Sequence, residues 1–136
     1  MKILVVDDEP QLRTLLADLL EEEGWSVLTA SQGKEALDLL TKEQIDLVVC
    51  DIYMPIMNGL RLRDNVREDP KLKDIPFLFV SGYDDQMTLG AVHSPKIEGF
   101  IQKGKPPNQI KAWIRYLTTP IDKRIGLSPG DRSWSR

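Results

Sequence analysis

Short runs of consecutive apolar residues alternate along the chain with longer stretches in which apolar residues recur every three to four positions. The first pattern suits a strand buried on both faces and the second an amphipathic helix; their alternation is the signature of βαβ units around a parallel sheet. Ile3 to Val6 is a continuous apolar run stopped by Asp7 and Asp8, and Trp25 to Thr29, Leu47 to Cys50 and Phe77 to Val80 repeat it. A weaker run from Gly99 to Gln102 completes a set of five expected strands.

Between the first two strands, Leu12, Leu15, Leu16, Leu19 and Leu20 recur at helical spacing, after Pro10, which a first helical turn tolerates, and before Gly24, which stops the run. Ala36, Leu37, Leu39 and Leu40 mark a second helix after Gly33, and a third is expected from about Gly59 to Glu68, ending before Pro70. A fourth, from about Asp85 to Val92, is poorly patterned. Pro106 and Pro107 introduce a fifth, with Ile110, Trp113, Ile114 and Leu117 on one face, and Pro120 terminates it. From residue 119 to 136 prolines, glycines and serines are scattered without a period, so this stretch is expected to be a tail or truncated linker, too short for an effector.

Composition agrees with a single globular domain: 136 residues, 41% hydrophobic and 29% charged, with a formal net charge of -3, exclude disorder as the main state. The sole cysteine, Cys50, has no partner for an intramolecular disulfide. The opening run is too short in apolar residues for a signal peptide, and nothing approaches the roughly 18 that a membrane span needs. A soluble protein of the reducing cytoplasm, with no membrane partner, is expected. Charge is unevenly spread: residues 1 to 68 hold fourteen acids against seven bases, and the remainder seven against eleven. The first half is the cation-seeking one.

Ligands of an open parallel α/β sheet bind outside the carboxyl ends of its strands. Asp7 and Asp8 end the first strand, Asp51 the third, Ser81 the fourth and Lys103 the fifth, and a flavodoxin-like strand order brings these ends to one pocket. Crowded carboxylates repel, and a hard divalent cation relieves them; carboxylates, a backbone carbonyl and waters form an oxygen set suited to Mg2+. One carboxylate then remains able to attack phosphorus and form an acyl phosphate. Lys103 would neutralise one phosphoryl oxygen and the Ser81 hydroxyl would donate to another. Taken singly, each residue has a plain alternative: helix capping for Asp7 and Asp8, a turn for Asp51 and Ser81, a solvated side chain for Lys103.

The segments ILVVDDEP, LVVCDIYMPIMNG, FLFVSGY and FIQK, in this order and spacing, resemble the receiver domain of two-component response regulators, over about residues 1 to 118. The resemblance implies an α/β, flavodoxin-like three-layer sandwich: a five-stranded parallel sheet of order 2-1-3-4-5 with five helices. It also implies that Asp51 is the phosphorylated aspartate and that Asp7 and Asp8 hold Mg2+, Asp8 more directly, with the backbone carbonyl of Tyr53 completing the protein's share. Ser81 matches the switch hydroxyl, Phe100 the switch aromatic and Lys103 the phosphate-contacting lysine. Where the family has proline after that lysine, this chain has Gly104; spacing from Phe100 favours Lys103, with Lys105 before Pro106 as runner-up. A cis bond at Lys103-Gly104 would cost about 2.5 to 4 kcal/mol, so unusual geometry is expected in this loop without one. Tyr53 and Tyr83, each two positions after a site residue, are expected to flank the path of attacking water and slow hydrolysis.

The implied function is a self-modifying switch rather than a turnover enzyme, receiving phosphoryl groups from a sensor histidine kinase or a histidine phosphotransfer protein. A second copy or an effector would use the face built by the fourth and fifth helices with the fifth strand. A Mg2+-dependent phosphatase or phosphotransferase with an aspartate nucleophile is the alternative. It would want a second catalytic aspartate close after the first, where Tyr53 stands, and an inserted lid, which the chain lacks. A degenerate receiver that only binds partners is opposed by the intact acids, hydroxyl and lysine. For nucleic acid the one candidate is the tail, with Lys123, Arg124, Arg132 and Arg136, and a solvated linker suits it better. His93 is expected to be exposed, Cys50 to be core, and Trp113 to serve either the core or a partner surface.

Overall fold

The computed structural model describes residues 1–82, 90–125 and Pro129. Five strands, β1 (Lys2–Val6), β2 (Ser26–Ala30), β3 (Leu47–Asp51), β4 (Phe77–Ser81) and β5 (Glu98–Gln102), form one parallel sheet in the order β2-β1-β3-β4-β5. The α-helices among the described residues are α1 (Pro10–Glu21), α2 (Gly33–Lys42), α3 (Gly59–Glu68) and α4 (Pro107–Thr118). A 3-10 turn, Ile121–Lys123, follows α4.

Strict alternation along the strands builds two cores. Leu4, Val6, Val48, Cys50, Phe77 and Phe79 point to the face covered by α2 and α3, where Ala36, Leu40, Leu62 and Val66 meet them. Ile3, Val5, Leu47, Val49, Leu78, Val80 and Ile101 point to the other, under Leu16 and Leu20 of α1 and Ile110, Trp113, Ile114 and Leu117 of α4. Both faces being covered explains why these strands are continuous apolar runs. Trp113 belongs to this core, its indole lying against the Cα of Gly99, where any side chain would collide with the ring. Cys50 is fully buried and His93 exposed.

Two expectations need correction. Four α-helices, not five, are found among the described residues; the expected helix from about Asp85 to Val92 falls at residues 85–89 outside them, and Gly90 to Val92 are turn and irregular backbone. Nearby polar groups are drawn sideways instead: the Ala91 carbonyl accepts from Arg63 Nη1 at 2.6 Å, and the His93 N–H donates to Glu98 Oε1 at 2.8 Å. The second strand is Ser26–Ala30 rather than Trp25 to Thr29, because its ladder with β1 runs from Lys2 opposite Ser26 to Val6 opposite Ala30, whose methyl enters the core. No helix among the described residues is long and apolar enough to cross a membrane.

Candidate functional site

The parallel sheet directs the carboxyl ends of β1, β3, β4 and β5 to one rim, and the polar residues that end the apolar runs gather there. Asp7 follows β1, Asp51 closes β3, Ser81 closes β4, and the Lys103 N–H donates to the Ser81 carbonyl at 2.8 Å, carrying the β4–β5 ladder one step beyond β5. Asp7, Asp8 and Asp51 each place one carboxylate oxygen so that the three lie within 4.8 Å of one another. Lys103 Nζ is 3.3 Å from Asp51 Oδ2 and 3.7 Å from Asp7 Oδ2. Of the two lysines weighed, Lys103 is therefore the one at the acids, and Lys105 is exposed on the following turn.

Asp7 and Asp51 are only 1% and 5% exposed, while Asp8 lies open at the rim. Burial pushes the Asp51 carboxyl above the usual carboxylate range; Lys103 pulls it back, Asp7 adds to the rise, and the Tyr53 N–H donating to Oδ1 at 3.3 Å opposes it. Asp7 is raised by burial too, against the Glu9 N–H on its Oδ1 at 2.9 Å and the charge of Lys103. Burial lowers Lys103, but the charges of Asp51 and Asp7 outweigh it and hold the ammonium above the ordinary lysine range. Two desolvated acids and one exposed acid against a single ammonium leave an excess of negative charge. Such an all-oxygen set fits a hard divalent cation.

The loop from β3 to α3 is fitted tightly to Asp51. Asn58 caps α3, its Oδ1 accepting from the Arg61 N–H at 2.9 Å, and the Gly59 N–H donates to the Ile52 carbonyl at 2.8 Å. A Cβ at Gly59 would overlap the Asp51 carbonyl oxygen and touch Cys50 Sγ at 3.0 Å. In the middle of this loop the Met57 N–H donates to the Pro55 carbonyl at 2.8 Å around Ile56, whose φ of 70° makes a γ-turn that strains a β-branched residue. Beyond β5, Gly104 takes φ 94°, a left-handed conformation suited to glycine; no cis peptide occurs among the described residues. The unusual geometry expected after Lys103 is this positive φ.

The family model of the response regulator receiver domain matches residues 3–115. The chain belongs to the response regulator receiver domain family. It is 36% identical over 118 residues to the CAI-1 autoinducer sensor kinase/phosphatase CqsS of Vibrio cholerae, covering 83% of this chain and 17% of that protein. Among solved structures, the V. cholerae chemotaxis protein CheY4 superposes with a TM-score of 0.78 at 26% identity, covering 85% of this chain and 97% of that one. The response regulator TrrA of Thermotoga maritima, solved with Mg2+ and BeF, gives 0.72 at 33% identity, covering 85% and 97%. The chain spans less than two thirds of the length of curated relatives such as CqsS and the B. subtilis regulator PhoP, of which it spans 48%.

The rest of this receiver domain's expected set is placed as follows. Ser81 is fully buried at the end of β4. Phe100 is half-buried in β5, opposite Phe79 in register and packed against the core beneath α2 and α3. Tyr53 is half-buried beside Asp51, and Tyr83 lies outside the described residues. At the opposite end of the sheet is a cluster that was not foreseen. Glu98, 2% exposed, accepts from Arg63 Nη1 at 3.0 Å and Arg67 Nε at 3.1 Å, and the two guanidinium carbons lie over the rings of Phe79 and Phe77. Arg63 is 1% exposed, and a signal for it was present: positions 59, 62, 63 and 66 form the buried stripe of α3, so its helical spacing points it inward.

Proposed function

We propose that this receiver domain accepts a phosphoryl group on Asp51 from the phosphohistidine of a sensor histidine kinase or a histidine phosphotransfer protein. The observation that carries this reading is Lys103 Nζ at 3.3 Å from Asp51 Oδ2 inside the three-acid cluster. Asp7, Asp8 and Asp51 would hold Mg2+, Asp8 as the open ligand, with the backbone carbonyl of Tyr53 completing the protein's share. When bound, Mg2+ would offset the acids' mutual repulsion and neutralise charge on the phosphoryl oxygens.

The Asp51 carboxylate attacks phosphorus; an O–P bond forms as the donor's N–P bond breaks, and the donor imidazole leaves with the electron pair and takes up a proton. Lys103 stabilises charge on a phosphoryl oxygen, and the Ser81 hydroxyl donates to another once phosphate is in place. Phosphorylation adds charge and acceptor oxygens at the rim, to which Ser81 and then Phe100 respond, altering the face of β5 and its flanking helices. That face would receive an effector or a second copy. The protein is on this reading a cytoplasmic switch that modifies itself, with residues 119–136 a tail or linker and nucleic acid not its partner.

Incubation with acetyl phosphate and Mg2+ should add one phosphoryl group, lost in Asp51→Asn, as read by intact-protein mass. Turnover of small phosphate esters without an adduct would instead support the aspartate-dependent phosphatase, a reading that the family match disfavours.

A further inference from the structure

Asp7 is fixed at each of its polar groups. Its N–H donates to the Ala30 carbonyl at 3.1 Å, its Oδ1 accepts from the Glu9 N–H at 2.9 Å, and its carbonyl accepts from Arg13 Nη1 at 2.8 Å. Asp8 differs: no hydrogen bond among the described residues holds its exposed carboxylate. With no such bond to hold it, where it can reach depends on where the Asp7–Asp8 peptide places the Asp8 backbone. Arg13 grips that peptide from α1, reaching back six residues.

Arg13 donates to a peptide carbonyl and forms no ion pair with the three carboxylates among the described residues. A cation beside a cation site disfavours the ion by Coulomb repulsion, and its presence asks for a compensating benefit. We infer that Arg13 is a positioning residue for the divalent cation, acting through the Asp7–Asp8 peptide to aim the Asp8 carboxylate. This inference rests on reading the acid cluster as a Mg2+ site. Outer-shell partners that orient ligands typically contribute tenfold or more to metal affinity.

The two effects of Arg13 have opposite signs, which makes the test decisive. Mg2+ affinity is measured by calorimetry on the unphosphorylated full chain for wild type, Arg13→Ala and Arg13→Lys, with circular dichroism and melting in EDTA to confirm folding. Positioning requires that Arg13→Ala weaken Mg2+ binding about tenfold, that the metal-free melting temperature stay close to wild type, and that Arg13→Lys, which keeps a charged donor of similar reach, recover most of the affinity. Unchanged or tighter binding in a folded Arg13→Ala protein would overturn the inference while leaving the cation site intact. Absence of Mg2+ binding by the wild type would overturn the site itself. If Arg13→Ala fails to fold, Arg13→Lys must still bind Mg2+ far more tightly than Arg13→Met, or the inference is lost.

Discussion

Lys103 Nζ lies 3.3 Å from Asp51 Oδ2 and 3.7 Å from Asp7 Oδ2, so one ammonium serves two buried carboxylates that reach it from different strands. Lys103→Met removes this countercharge and the group assigned to a phosphoryl oxygen. The adduct should form from acetyl phosphate on the order of 10²-fold more slowly, whereas Mg2+ binding, relieved of a competing cation, should hold or tighten. Phosphorylation time courses paired with Mg2+ titrations read both effects, and a variant phosphorylated at the wild-type rate would remove Lys103 from the chemistry.

Burial raises the carboxyl pKa of Asp51 and Asp7 above the ordinary aspartate value of 3.8. The folded state therefore holds these protons more tightly than the unfolded chain, and the stability they contribute is full below 3.8 and lost as pH rises through the folded values. At neutral pH without Mg2+, Asp51→Asn should be more stable than wild type by on the order of 1 kcal/mol, about 4 °C in melting temperature. That gap should close on acidification towards pH 4. Mg2+ should reverse the order, since an ion at about a hundred times its Kd stabilises the wild type by about 2.7 kcal/mol. Melting curves over pH, with and without Mg2+, check each sign.

The strands and both cores were legible because a strand buried on both faces leaves a run such as ILVV or LVVC that no other element explains, whereas the strand order came only with the receiver-domain resemblance. The site was legible for a related reason: each run is cut short by a polar residue, and the parallel sheet sends every such interruption to one rim. The Arg63–Glu98–Arg67 cluster was hidden because arginine on a helix ordinarily marks the solvent side, and Glu98 stands just before the weakest apolar run, although it is the first residue of β5. The role of Arg13 has no signal in the sequence for another reason, since a hydrogen bond to a peptide carbonyl leaves no mark in residue type.

Gly59→Ala places a methyl where the Asp51 carbonyl oxygen stands, with Cys50 Sγ at 3.0 Å. Backbone atoms do not yield as side chains do, so α3 or Asp51 must shift. A loss of about 1 to 3 kcal/mol is expected, with adduct formation falling further than stability alone explains. Urea unfolding and phosphorylation on the same preparation separate the two effects.

Glu98→Ala leaves the buried Arg63 and half-buried Arg67 guanidinium groups without their shared acceptor. Removing the shared acceptor should cost about 3 to 5 kcal/mol. The folded fraction should still phosphorylate, because the cluster lies at the amino ends of the strands, away from Asp51. Denaturant midpoints and adduct yield at low temperature test this division.

One strand joins those two ends. β5 begins at Glu98, bound to two arginines of α3, and passes through Gln102 directly to Lys103. Five residues at about 3.3 Å each make a strut of about 16 Å. Its foot is anchored in a buried charged cluster, and its head carries the ammonium that faces Asp51. An extended chain cannot lengthen, so the strand holds the two charged ends of the sheet at a fixed separation. Loosening the foot should leave the head in place, because the β4–β5 ladder and the Lys103 N–H on the Ser81 carbonyl hold it there.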